Sequence, residues 1–158
     1  MEAQNAARLL ALLRNQPVAA LGTLHNGDPA VSMAPYAVLS AAGSLVIHVS
    51  RLATHTDDML AHPAVSLMVT AVRETGVPPQ ALARVTFRAS AAPIDRTDPG
   101  HRAARDAYLA RFPETEPLFG LGDFALFAIV PRNARYVGGF GQAATITSKD
   151  LRALLAQA

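Results

Sequence analysis

Cysteine is absent from the 158 residues. Disulfides, thiolate metal sites and a cysteine nucleophile are therefore excluded. Lysine is nearly absent: Lys149 stands alone, so the basic side chains are almost all arginine. Arginine suits planar recognition of phosphate and carboxylate. No run of Lys or Arg occurs and the formal net charge is only +2, so there is no electrostatic footprint for nucleic acid. No apolar stretch approaches the ~20 residues that span a bilayer. The N-terminus has no basic segment leading into a long apolar one, so no signal peptide is expected either. These absences point to a cytoplasmic protein that uses neither membrane nor nucleic acid.

What is present is apolar. The hydrophobic fraction of 51% supports a sizeable core, and the length suits one domain over residues 1–158. Residues 2–15 predict an amphipathic helix, with Ala6, Leu9, Leu10 and Leu13 at helical spacing. Strands are expected at Val18–Leu24 and Pro29–Val38, joined by the hairpin signal Asn26-Gly27. Pro35 argues for an edge, a bulge or a bend in the second strand. Further strands are expected at Leu45–Val49, Val65–Val69, Ala83–Ile94 and Phe124–Val130, the last broken by Pro131. Helices are expected at about 55–61 and 101–112, with a short helix or turn over 114–122. Ser148 is read as the cap of a final helix at about 148–157. The result is a mainly β fold with peripheral helices (α+β): six strands in a small closed or split barrel over about 17–141.

The stretch Ser44–Pro63 concentrates chemistry. An apolar strand runs into Ser50-Arg51-Leu52-Ala53-Thr54-His55-Thr56 and then into a helix. Free backbone N–H groups at a helix start, beside hydroxyls and a cation, suit an anion. The ordinary alternative is a helix cap supplied by Thr54 or Thr56. Asp57 and Asp58 complement the dipole of that helix start. Arg84 and Arg88 share one face of a strand, with Thr86 between them, and fit a solvated face, an anionic ligand or a subunit contact. Gly138-Gly139-Phe140-Gly141 matches no phosphate-loop pattern and reads as a turn, the alternative being bare backbone open to a flat ligand with Phe140 as its wall. The five histidines make no H-x-x-x-H pair, and no metal site is expected. His48 falls on the less apolar face of its strand, and His55 and His62 would share a helix face.

Taken in order, these segments resemble the FMN-binding split barrel of pyridoxamine 5'-phosphate oxidase and its relatives. The resemblance is most specific to the haem-utilisation branch. It rests on Ser50–Thr56 (SRLATHT), Tyr108–Pro113 (YLARFP), Gly122–Phe124 (GDF) and Arg135–Gly141 (RYVGGFG), and spans about Val18–Gly141. It implies a six-stranded split β-barrel of FMN-binding type and a homodimer with flavin at the interface. It implies an FMN phosphate on Ser50, Arg51, Thr54 and His55, aided by Arg84 or Arg88, with the flavin ring along Ser32 to Tyr36. His55 stands where the oxidases carry a lysine. The function implied is an FMN-dependent oxidoreductase of unknown substrate. The alternatives are a haem-binding or haem-utilisation protein of the same fold, or a binding module without a cofactor.

Overall fold

A computed structural model describes residues 2–158. Helix α1 (Ala3–Asn15) buries Leu9, Leu10, Leu12 and Leu13. The alternation that follows forms β1 (Val18–His25), with Ala19, Leu21 and Thr23 buried. Asn26 (φ 52°) and Gly27 (φ 90°) are both left-handed. That is what a two-residue hairpin needs if its twist is to match the strands. The turn sets the register, pairing His25 with Asp28 at the start of β2 (Asp28–Leu39). Strand β2 pairs with β1 as far as Pro35 and with β3 (Ser44–Ser50) from Tyr36 onward. Pro35 therefore stands where the strand changes partner.

After α2 (Thr54–Ala61) come β4 (Ala64–Thr70), β5 (Arg84–Ile94) and α3 (His101–Arg111). A 3₁₀ segment (Pro113–Gly120) leads into β6 (Phe124–Gly139), β7 (Gln142–Thr147) and α4 (Ser148–Leu155). The strand order is β3-β2-β1-β4-β5-β6-β7, and β3 also pairs with β6. Six antiparallel strands thus close into a barrel, and β7 extends it from β6. Leu21, Tyr36, Ile47, Leu67, Phe87 and Ile129 are fully buried in the core. A smaller cluster (Val46, Tyr108, Leu126 and neighbours) lies beneath α3, so β3 is buried on both faces.

Four sequence expectations are corrected here. Pro131 does not break its strand: β6 continues for 16 residues. The register slips beside it, with Ala89 opposite Pro131 and Arg88 opposite Asn133, which leaves Arg132 as the extra residue of a bulge. A bulge tolerates a residue with no N–H to donate. Residues 142–147 form a seventh strand beyond the six expected. The cap of α4 is Thr147, whose Oγ1 accepts from the Asp150 amide at 3.3 Å; Ser148 is already helical. Finally, His62 lies just past α2 and does not share a helix face with His55.

At Gly43 (φ 59°) the chain leaves a short turn against α4. A Cβ built there would lie 2.5 Å from Arg152 Cγ and 3.1 Å from the Arg152 carbonyl oxygen. Only glycine allows this approach. Among the described residues no helix is long and apolar enough to cross a membrane.

Candidate functional site

Strand β3 ends at Ser50, and hydrogen bonds within the chain set the turn that follows. Ser50 Oγ donates to Asp123 Oδ2 at 3.3 Å and accepts from the Leu52 amide at 3.1 Å. The Arg51 amide donates to the Asp123 carbonyl. The Thr56 hydroxyl donates to the Ser50 carbonyl at 2.6 Å. The N-cap of α2 is Ala53, with no side-chain cap, so neither Thr54 nor Thr56 caps the helix. Thr56 is buried and tied to the strand end, whereas Thr54 is the first helical residue and is exposed.

His55, one residue on, meets the middle of β2. Its Nδ1 lies 3.0 Å from Ser32 Oγ, a contact between residues that the sequence analysis placed in separate segments. Its Nε2 is buried and has no partner among the described residues. Burial holds the imidazole below its ordinary pKa, and the nearby Asp58 carboxylate only partly offsets this. The ring is therefore neutral near pH 7.

Behind His55 stands a cluster that sequence reading missed. Asp58 accepts from Thr23 Oγ1 at 2.7 Å and from His25 Nδ1 at 2.7 Å. Asn26 Nδ2 donates to the other His25 nitrogen at 3.2 Å. The His25 hydrogen bond, opposed by burial and aided by Thr23, holds the Asp58 carboxyl below its usual range. Asp57 is exposed in the first turn, as a dipole partner should be, but Asp58 is buried and ties α2 to the β1–β2 hairpin. The only signal was the period-two spacing of Thr23 and His25. It has meaning only once α2 is seen to pack on β1.

The remaining expected site residues disperse. Tyr36 is 0% exposed, and its hydroxyl donates to the Leu13 carbonyl at 2.9 Å. The Arg111 guanidinium lies 4.7 Å from the centre of its ring, and burial pushes its phenol up to about 12. Tyr36 is thus a core residue and offers no wall to a ligand. Arg84 donates to the carbonyls of Gln80 and Leu82 at 3.2 and 3.1 Å, and Arg88 is exposed on the outer face. Neither bonds to the turn. Arg51 is exposed and lines a separate cavity with His48, to which Ser32, Thr54 and His55 contribute nothing. His48 itself is buried, because α3 and the 3₁₀ segment cover the face on which it lies. Gly138–Gly141 forms the end of β6 and the turn into β7. Among the described residues no group of three or more His, Cys, Asp or Glu is placed to hold a metal ion.

A closed antiparallel barrel with a hydroxyl-rich strand-to-helix turn at one end defines a protein of the FMN-binding split-barrel, pyridoxamine 5'-phosphate oxidase-like superfamily. Within it, the chain belongs to the CREG beta-barrel family, which it matches over residues 1–152. It is 36% identical over 121 residues to the chloroplastic heme oxygenase HOZ of Arabidopsis thaliana, covering 75% of this chain and 35% of the plant protein. It is 32% identical over 126 residues to the heme oxygenase HutZ of Vibrio cholerae, covering 79% of this chain and 70% of that protein. Among solved structures it resembles a heme binding protein from Mycobacterium smegmatis. The TM-score is 0.85 at 27% identity, over 97% of this chain and 62% of that one. The chain thus spans about a third of the plant relative and most of the bacterial one.

Proposed function

We propose that this protein binds haem and serves in haem utilisation, at a site formed around the start of α2. On the molecule itself, the observation that supports this reading is His55. It is a neutral imidazole with Nδ1 held by Ser32 and Nε2 without a partner. A hydrogen bond that fixes one ring nitrogen is the usual means of orienting the other toward a metal. The exposed Thr54 hydroxyl and the uncapped first turn of α2 offer donors for a carboxylate. These residues suit haem through one imidazole nitrogen and nearby donors for its propionates. Bound haem would supply iron redox chemistry; Ser32 would orient His55, and His55 would hold the group.

The fold is equally that of FMN-binding oxidases, and FMN-dependent oxidation was the first expectation. The relatives named for haem favour the other reading. Titration of the purified protein with haem tests it. The expected result is a Soret band that shifts and saturates near one equivalent, and that is lost or moved in His55→Ala. Absence of any Soret change, or binding of FMN in its place, would remove the proposal.

A second copy of the chain is the proposed partner. Met33, Ala20 and Met68 stand opposite one another across β2, β1 and β4. Met33 is 61% exposed and Met68 39%, with Val18 and Val31 also exposed. A contiguous apolar row on a barrel's outer face suits burial against a like surface.

A further inference from the structure

The chain has a concave feature away from Ser32 and His55. It is a cavity of about 250 Å³ between the start of α3, the 3₁₀ segment and the ends of β3, β5 and β6. We propose that this cavity binds a small organic anion, with a phosphate or carboxylate head on Arg51 and Arg96 and an apolar body against Phe119 and Phe124. The inference does not depend on the haem reading.

Charge is the first argument. Arg51, Arg96 and Arg105 line the cavity with a single carboxylate, Asp95. Arg105 is already engaged, 3.3 Å from Glu116 and stacked 5.3 Å from the centre of the Phe119 ring. Arg96 donates only a long bond, 3.4 Å, to the Phe119 carbonyl, and Arg51 enters no ion pair among the described residues. Two guanidinium groups therefore keep their donors free for a carboxylate or phosphate. His101 opens α3 at the same wall, where the helix dipole is positive.

Exposed arginines alone would be an ordinary solvated face. His48 is the observation against that. It lines the cavity, is only 7% exposed, and its buried Nδ1 has no partner among the described residues. Its ring is stacked on Phe119 at 3.9 Å and 7°, with Phe124 at 5.2 Å. An unpaired buried nitrogen in an aromatic box is costly unless something pairs with it. Burial, with His101 nearby, pushes this imidazole down to about 4, so it meets a ligand as a neutral group. The volume falls below the roughly 300–1,000 Å³ of pockets for drug-sized ligands. That suits a small anion and is too little to enclose a haem.

The test is titration of the full chain with phenyl phosphate, and with benzoate beside it to distinguish the two heads. Binding is followed by the histidine ring resonances and by calorimetry. The expected result is saturable binding by at least one of them that shifts the His48 and His101 signals and weakens with salt. Arg51→Ala and Arg96→Ala should each weaken it roughly tenfold or more. His48→Phe, which keeps the ring stack, should weaken it severalfold while the circular dichroism is unchanged. All three variants should retain the haem Soret band if the wild-type protein has one. The proposal is overturned if neither ligand moves the His48 signal or if the arginine variants bind as well as wild type. It is also overturned if inorganic phosphate binds as tightly as phenyl phosphate, or if the three variants lose haem together with the anion.

Discussion

The imidazole of His55 and the hydroxyl of Ser32 lie 3.0 Å apart and join the start of α2 to the middle of β2. Removing the hydroxyl frees the ring to turn. Ser32→Ala should therefore weaken haem binding about tenfold or more, with the melting profile little changed; optical titration reads it. Since His55 is held below its ordinary pKa of 6.5, the loss of haem affinity on acidification should have its midpoint below 6.5. A midpoint at or above 6.5 would show that another group controls binding.

Asp58 ties α2 to the β1–β2 hairpin through Thr23 and His25. Its folded pKa lies below the ordinary 3.8, so its contribution to stability is complete above that pH. The contribution is lost as pH falls through the folded value. His48 adds an earlier window. Its folded pKa of about 4 lies below the ordinary 6.5, so protonation of the unfolded chain erodes stability from 6.5 down to about 4. Urea unfolding at several pH values should show both limbs. Asp58→Asn should flatten the lower limb and His48→Phe should reduce the upper. Thr23→Val, which removes one donor to Asp58, should cost about 1 kcal/mol near neutrality.

The row Met33–Ala20–Met68 predicts self-association. Light scattering should give twice the chain mass of 16.6 kDa for the wild type. Met33→Glu combined with Met68→Glu should give the single-chain mass with the circular dichroism spectrum retained. A wild-type protein that is monomeric at high concentration would reject the dimer.

Gly43 is left-handed, and its missing Cβ makes room for Arg152. Gly43→Ala should destabilise by about 1–2 kcal/mol from the backbone conformation alone, and by more if α4 must shift. Denaturant unfolding measures the loss, and haem binding should be unaffected.

The local rules were legible where neighbours in sequence decide the outcome. The period-two runs of β1 and β5, the Asn26-Gly27 hairpin and the leucine spacing of α1 needed no distant partner to be read. The order of motifs also carried the split-barrel family, since it is a property of the chain itself. Pro131 misled because its effect depends on the pairing with β5: the bulge at Arg132, opposite the Arg88/Ala89 step, accommodates it.

The site divides the same way. Sequence alone pointed to Ser50–Thr56 as the chemically dense turn and to Ser32 as a residue of interest. Their meeting at His55 was settled by the docking of α2 over the barrel end. Burial then sorted the remaining candidates. Tyr36 went to the core under Arg111, His48 into an aromatic box beneath α3, and Asp58 into a buried link with His25. Sequence by itself thus determined the fold family and singled out one stretch dense in polar chemistry. Tertiary structure decided which polar groups lose their water and what they pair with, because desolvation depends on what packs above a residue and not on its neighbours along the chain.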